Sequence, residues 1–275
     1  MKSVVFLFVI FAIPACSSMP NSKSVQTKFG TVNYLKAGDS GPSVILEAGL
    51  GDDMSSWKLA IKEIGEISQL LAYNRAGYQG SYSFVEQRTA DNIIKELRSL
   101  MQKTESEPPY VLIGHSIGGL YMQLYAKKYP EDILGVVLVD STHAGQDEDC
   151  IKKIAGICEQ SDSIPWWAKA VLPDGVVGEH DSMPESMQQV RSASDFPSVP
   201  LVVLSRGKNP WEGEEQVKDW QKERWREAQE NQTKLTLLSS NSKQIICDSC
   251  GHYVHQDKPV LVAEAILWIL EKSQN

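Results

Sequence analysis

Positive charge is scarce in this sequence of 275 residues: 27 lysines and arginines stand against 35 aspartates and glutamates, a formal net charge of −8 at pH 7. Because an acidic surface repels phosphate backbones, we expect no nucleic-acid partner. Internal repeats are also absent, which excludes a repeat architecture. The length suits one sizeable domain, or at most two small ones.

Long apolar runs are missing as well, since the longest covers only the ten residues 4–13. A helix needs about 20 apolar residues to cross a bilayer, so this run is typical of a signal peptide and not of a membrane span. The residues Ile-Pro-Ala-Cys that end at Cys16 resemble a bacterial lipobox. We therefore predict a lipoprotein signal peptide over residues 1–15, a lipidated Cys16, and a polar tether over residues 16–28. The protein would then lie in the bacterial cell envelope, anchored to the membrane and facing the periplasm; the alternative is a plain signal cleaved with Cys16.

Cysteines are few, and removal of Cys16 leaves Cys150, Cys158, Cys247 and Cys250. An even number in an exported protein favours disulfides. The simplest pairing is Cys150–Cys158 with Cys247–Cys250, although cross-pairing stays open. The C-x-x-C at 247–250 lies beside two histidines, so zinc is a second interpretation. Structural zinc sites need a second ligand pair at defined spacing, and the seven residues between Cys150 and Cys158 do not supply it, so we expect no metal.

Short runs rich in valine, leucine and isoleucine alternate with segments of helical period. The runs are apolar on both faces, as buried parallel strands are. Between them, residues 89–103 place their apolar side chains on one helical face. This alternation predicts an α/β fold with a mostly parallel twisted sheet, helices on both faces and an initial antiparallel piece at 27–38. The predicted core strands are residues 43–48, 70–74, 110–115, 134–140, 200–205 and 243–247.

Residues 141–198 break this alternation, because they contain no convincing strand. The segment is too long for a loop of a compact domain. We therefore predict a small helical cap, inserted over about residues 143–197. Its apolar residues Trp166, Trp167, Val171 and Leu172 could roof a ligand site or could only attach the cap to the core.

A nucleophile motif follows one of the predicted strands. The pattern G-x-S-x-G spans residues 114–118, between a strand and a helix. Such a turn exposes the serine Oγ, while the glycines let strand and helix pass closely. The helix N-terminus directs amide N–H groups and a positive dipole toward developing negative charge. The motif predicts that Ser116 is a nucleophile.

With this motif the sequence resembles the α/β-hydrolase superfamily, and within it the small cap-bearing, esterase-like members. The resemblance covers residues 29–275, which we take as the hydrolase domain. It rests on YVLIGHSIGG and, in the family's order, on LEAGLGDDMSSW, YNRAGYQGS, GVVLVDSTH and GHYVHQDKP. It implies the α/β-hydrolase fold. A serine in the nucleophile position argues against dehalogenase or epoxide hydrolase chemistry, which in this fold uses aspartate.

The resemblance also implies catalytic roles for three further positions. The family's glycine-rich turn after a strand, here with Ala-Gly in place of His-Gly, makes the Leu50 N–H one donor of an oxyanion hole. Ile117, the residue after the nucleophile, gives the second donor. His252 follows the last strand in the family's G-H-x₆-P pattern and would be the general base. His255 is expected at the surface, and Arg75 is expected to be structural.

Two positions could supply the acid of a catalytic triad. The family's commoner position is the turn after residues 200–205, which offers only Glu212, Glu214 and Glu215. The other is Asp140, at the end of the strand that follows the nucleophile helix. We favour Asp140 because strand ends meet at one edge of a parallel sheet, and we keep Glu212 or Glu214 as alternatives.

Together these features predict a serine hydrolase that cleaves carboxylic esters through an acyl-enzyme. The alternatives are an amide or thioester hydrolase or a peptidase of the same fold, and a non-catalytic envelope protein that keeps the fold for binding. The expected partner is a small-molecule ester, with membrane contact only through the N-terminal lipid. This chemistry requires neither a cofactor nor a metal.

Overall fold

The computed structural model describes residues 19–146 and 164–274. The predicted signal peptide and the cysteines Cys16, Cys150 and Cys158 lie outside these residues. In the described ranges, no helix has the length and apolar character needed to cross a bilayer.

A mixed sheet organises the described part of the chain. Its strands are β1 (Lys23–Gln26), β2 (Gly30–Ala37), β3 (Ser43–Glu47), β4 (Gln69–Tyr73), β5 (Tyr82–Ser83), β6 (Tyr110–His115), β7 (Ile133–Val139), β8 (Leu201–Arg206) and β9 (Ser242–Cys247). Their order is β1-β2-β4-β3-β6-β7-β8-β9, and β5 pairs with β2. Neighbours from β4 to β9 are parallel, whereas β2 is antiparallel to β1, β4 and β5.

Helices cover both faces of this sheet. The α-helices of residues 19–146 and 164–274 are α1 (Lys58–Gly65), α2 (Ala90–Lys103), α3 (Ile117–Lys128), α4 (Trp166–Lys169), α5 (Asp174–Asp181), α6 (Met183–Ser192), α7 (Asp219–Leu235), α8 (Val254–Asp257) and α9 (Val260–Ser273). One buried cluster joins the sheet to α2, α3 and α6, and a second joins it to α1, α8 and α9. The predicted α/β fold, its core strands and the buried face of α2 are confirmed.

Burial on both faces explains why the core strands are apolar throughout. In β6, Leu112 packs into the cluster with α2 and α3, while Val111 and Ile113 pack into the opposite cluster with α1 and α9. Successive side chains of a strand point to opposite faces, so every position of this strand meets a helix layer.

The predicted tether is wrong at its C-terminal end, because β1 lies inside it. Residues Lys23–Gln26 pair with β2 in antiparallel register. An outer strand is held mainly by backbone hydrogen bonds, and only Val25 packs against the core, so the polar sequence concealed it. The folded domain therefore begins before the predicted boundary at residue 29.

In its described part, residues 140–146 and 164–200, the region between β7 and β8 carries the short helices α4, α5 and α6, within the limits predicted for a cap. Met187 and Val190 of α6 are buried in the core cluster and attach this region to the domain. Trp167 and Val171 are 57% and 69% exposed, so these two side chains do not attach it.

Candidate active site

Four segments of the site meet at the carboxyl edge of the parallel sheet. Ser116 directly follows β6, Asp140 directly follows β7, the turn with Leu50 follows β3, and the loop with His252 follows β9. Carboxyl ends of parallel strands share one edge, and ligands of open α/β sheets bind there.

Ser116 sits on a strained turn between β6 and α3. Its backbone has φ 53° and ψ −122°, a conformation that residues with a side chain rarely adopt. The turn is held by bonds from Ser116 N–H to Val139 O, 3.1 Å, and from Thr142 N–H to Ser116 O, 3.0 Å. Ser116 stays partly exposed at the sheet edge.

The flanking glycines are required by close approach. A Cβ on Gly114 would lie 2.5 Å from Gly119 Cα, and a Cβ on Gly118 would lie 2.5 Å from Ala48 O. Neither distance is possible between real atoms. A larger residue at position 114 would force strand and helix apart, and one at position 118 would push α3 away from the turn after β3. The second contact also shows that the turn after β3 packs directly against the turn that carries Ser116.

Asp140 and His252 are joined by a short hydrogen bond. Asp140 Oδ2 lies 2.5 Å from His252 Nδ1. Because a carboxylate only accepts, Nδ1 carries the proton, and Nε2 of a neutral His252 is left as the basic nitrogen. Arg206 adds two contacts to the same carboxylate. Its backbone N–H donates to Oδ1 and its side-chain Nε lies near Oδ2, each at 3.3 Å.

The register of the sheet brings Asp140 beside Ser116. His115 pairs with Val139 across β6 and β7, so the next residue on each strand is Ser116 and Asp140. The other candidate acids lie elsewhere: Glu212 and Glu214 are exposed, and Glu214 accepts a bond from Gln221 on α7. The structure therefore brings Asp140, and not these glutamates, to His252.

The two expected oxyanion donors belong to segments that pack against each other, the turn after β3 and the start of α3. Ile117 opens α3, where the first N–H groups of a helix lack intrahelical acceptors. Leu50 lies in the turn after β3, and its N–H has no acceptor among the described residues. A Cβ on the preceding Gly49 would lie 2.8 Å from His115 Nδ1, which shows how closely this turn approaches the end of β6.

Behind His252 lies a second, buried histidine. His115 Nε2 is 3.1 Å from the His252 carbonyl oxygen, and the two rings are 4.6 Å apart between centroids. A carbonyl accepts, so Nε2 of His115 carries a proton and donates it to the backbone of His252. Burial lowers the pKa of His115 even though Asp52, 3.5 Å from Nδ1, opposes the shift.

The expectation that His255 lies at the surface is wrong. His255 is fully buried, with its ring 4.2 Å from the Trp57 ring and 4.6 Å from the His115 ring. The physical reason is the one-turn helix α8, which starts at Val254 and folds His255 inward, whereas the sequence predicted helix only from Pro259 onward. Burial is the largest cause that lowers the pKa of His255 well below its usual range, and the charges of protonated His115 and His252 would lower that pKa further.

Replacing His255 by phenylalanine is expected to reduce the pH dependence of stability. Both ring nitrogens of His255 lack a hydrogen-bond partner among the described residues, so an apolar ring suits the site. An unfolded histidine gains a proton below pH about 6.5 that buried His255 does not gain. His255 therefore lowers the free energy of unfolding as the pH falls below this value, by up to about 1.4 kcal/mol per pH unit. Urea unfolding between pH 7.5 and 5 should give a shallower slope for His255→Phe; identical slopes would contradict the assignment.

Cys247 and Cys250 form a disulfide between β9 and α8. The bridge ends two residues before His252, and its backbone is bound to the neighbouring loop: Gly207 N–H donates to Cys247 O and Lys208 N–H to Cys250 O, at 2.8 and 3.1 Å. In the ranges that the structure describes, no group of three or more histidine, cysteine, aspartate or glutamate side chains could hold a metal ion.

Sequence reasoning missed a buried ion-pair network beneath the turn after β3. Arg75 pairs with Glu47 and with Glu179, each at 2.7 Å, and all three side chains are almost fully buried. One signal could have found it: Glu47 ends a strand directly after the apolar residues 44–46, and a buried carboxylate needs a cationic partner. No comparable signal marks Glu179, which lies on α5.

Comparisons with known proteins agree with this architecture. The sequence model of the alpha/beta hydrolase family matches residues 44–265. The uncharacterized protein YqjL of Bacillus subtilis is 29% identical over 238 residues, which cover 84% of each chain. Among solved structures, a putative lipase of Acinetobacter baumannii has a TM-score of 0.64 at 18% identity, covering 92% of this chain and 91% of that one. A thermophilic esterase of Thermogutta terrifontis has a TM-score of 0.64 at 17% identity, covering 92% and 99%. The chain belongs to the alpha/beta hydrolase family.

Proposed function

We propose that this protein is a serine hydrolase that cleaves carboxylic esters through an acyl-enzyme. The observation that carries the proposal is the 2.5 Å contact between Asp140 Oδ2 and His252 Nδ1, at the sheet edge where the strained turn presents Ser116. Membership of the alpha/beta hydrolase family supports hydrolase activity. The serine nucleophile and the ester substrate are what we propose in addition.

The reaction follows from the roles of these groups. His252 Nε2 takes the proton of Ser116 Oγ as Oγ attacks the ester carbonyl, and Asp140 stabilises the imidazolium that forms. The Leu50 and Ile117 N–H groups bind the negative oxygen of the tetrahedral intermediate. His252 then gives its proton to the departing alcohol. Water activated by His252 cleaves the acyl-enzyme, releases the acid and restores Ser116.

The test is hydrolysis of p-nitrophenyl butyrate, followed by trapping with a fluorophosphonate. We expect turnover and a phosphonyl adduct on Ser116, identified by mass spectrometry of the tryptic peptide. The corresponding p-nitroanilide is assayed beside the ester, since faster cleavage of the anilide would move the proposal to an amidase. Absence of both turnover and adduct would leave a binding protein that keeps the fold.

Removal of the Cys247–Cys250 disulfide is expected to lower both stability and turnover. Closing a loop of four residues contributes about 2 kcal/mol in the chain-entropy account of disulfides. Turnover should fall because the bridge restrains the backbone two residues before His252. Urea unfolding and ester turnover of the Cys247→Ser, Cys250→Ser double variant measure the two effects. A double variant as stable and as active as the native protein would show that the bridge restrains nothing of importance.

We also propose that the protein is a lipoprotein of the bacterial cell envelope, anchored through Cys16. The lipobox-like residues before Cys16 support this proposal. In a bacterial host supplied with an alkyne analogue of palmitate, the full chain should be labelled and sediment with membranes, whereas Cys16→Ser should lose the label. Equal labelling of both chains would refute the anchor, and an unlabelled, shortened native chain would indicate a plain cleaved signal.

A further inference from the structure

Arg75 uses every donor of its guanidinium in a buried setting. Nε and Nη2 donate to the two carboxylate oxygens of Glu179 at 2.7 and 2.8 Å, and Nη1 donates to Glu47 Oε1 at 2.7 Å. The remaining two donations go to the backbone: Nη1 to Ala48 O at 2.6 Å and Nη2 to Gly49 O at 2.8 Å. These five acceptors match the five N–H donors of an arginine side chain, a set that lysine cannot supply.

The charge of Arg75 is maintained by its surroundings. Burial disfavours the cation, but Glu179 and Glu47 outweigh burial and hold the pKa of Arg75 well above its usual range. The guanidinium carbon also lies 5.1 Å from the Tyr78 ring centroid and 5.6 Å from that of Tyr121. Such a fixed cation can orient peptide carbonyls more firmly than a neutral donor can.

The bond to Gly49 O has a direct consequence for Leu50. In a trans peptide the C=O of one residue and the N–H of the next point in opposite directions. With Gly49 O held on the guanidinium, the Leu50 N–H must point away from Arg75. The nucleophile turn lies against the same segment, since a Cβ on Gly118 would contact Ala48 O.

The cap region takes part in this arrangement through Glu179 of α5. Glu179 is fully buried, binds Arg75 with both oxygens, and accepts a further bond from Tyr78 Oη at 3.0 Å. Tyr78 Oη in turn accepts the Gly51 N–H at 3.3 Å. The carbonyl groups of Ala48 and Gly49 before Leu50 are therefore linked to the Glu179 carboxylate through Arg75. The Gly51 N–H after Leu50 is linked to the same carboxylate through Tyr78.

We propose that Arg75 is a positioning residue that orients the Gly49–Leu50 peptide for oxyanion binding, and that Glu179 of the cap fixes Arg75 in that role. The proposal rests on the proposed function, in which Leu50 N–H stabilises the tetrahedral intermediate. It goes beyond that function because it makes the oxyanion hole depend on Glu179 of the cap, a side chain that takes no part in the proposed reaction itself.

The test compares Arg75→Lys and Glu179→Gln with Arg88→Lys as the matched control. Arg88 also forms a buried ion pair, with Glu96 at 2.7 Å, and packs against α5 at Gly178, but it makes no bond to the turn after β3. Loss of one oxyanion donor lowers turnover by about 10²-fold or more, so Arg75→Lys should lose about 10²-fold in kcat/KM for p-nitrophenyl butyrate. Glu179→Gln should lose less, because its amide oxygen still accepts from Arg75, and Arg88→Lys should stay within about threefold.

Two further readouts separate positioning from general destabilisation. A boronic acid forms a tetrahedral adduct on the nucleophile, so its affinity should fall in step with kcat/KM in Arg75→Lys and remain unchanged in Arg88→Lys. Crystal structures of the native chain and Arg75→Lys should show the Gly49–Leu50 peptide rotated in the variant. Kinetics within threefold of the native protein together with an unrotated peptide would overturn the proposal.

Failure of the proposed function would look different. Native protein and Ser116→Ala are assayed first, and equal ester turnover in both would refute the serine mechanism. The orientation of the Gly49–Leu50 peptide in Arg75→Lys would still decide whether Arg75 positions this turn.

Discussion

Replacement of Ser116 by alanine is expected to lower kcat for p-nitrophenyl butyrate by roughly 10⁴–10⁶-fold while the fold is kept. The mechanism requires an oxygen nucleophile on this turn, and alanine removes only that atom. The backbone bonds of the turn, from Ser116 N–H to Val139 O and from Thr142 N–H to Ser116 O, do not involve the hydroxyl. The residual rate should come from binding and the oxyanion donors alone.

The matched control for this variant is Ser249→Ala. Ser249 is exposed, lies three residues before His252, and has no role in the proposed reaction. Its variant should retain native turnover, and circular dichroism and thermal unfolding should show both variants folded. Native turnover in Ser116→Ala would refute the acyl-enzyme mechanism, whatever the turnover of variants at the other site residues.

Asp140→Asn is expected to lower kcat by about 10⁴-fold, the second largest effect. The Arg206 N–H donates to Asp140 Oδ1, so the amide oxygen of asparagine should take that position. The amide nitrogen would then face His252 Nδ1 and donate to it. That bond favours the tautomer with the proton on Nε2, which cannot accept the proton of Ser116.

Glu212→Gln and Glu214→Gln are the controls for the acid, since both glutamates are exposed and neither contacts His252. Each should leave kcat unchanged. Comparing the three variants identifies the acid, because each substitution makes the same chemical change from a carboxylate to an amide. A loss in either glutamine variant equal to that in Asp140→Asn would move the acid to the turn after β8.

Local sequence determined the parts of this protein that depend on neighbouring residues. Strands such as Tyr110–His115 are apolar because both of their faces are covered, so the pattern alone revealed the sheet. The nucleophile turn is equally local, since Gly114 and Gly118 are required by contacts within the strand–turn–helix unit and with the adjacent turn. The alternation of strands and helices and the G-x-S-x-G motif therefore led to the correct family.

Contacts between distant residues were decided only by the tertiary structure. Asp140 and Glu214 were both admissible acids until the register of β6 and β7 and the loop after β9 brought one of them to His252, 112 residues away. The pairing of Arg75 with Glu179 spans 104 residues and leaves no periodic trace in the sequence. The inward turn of His255 likewise depends on one turn of helix that packs against Trp57. Periodicity records which face of an element is buried, but the choice of partner for a buried polar group is made by packing across the whole chain.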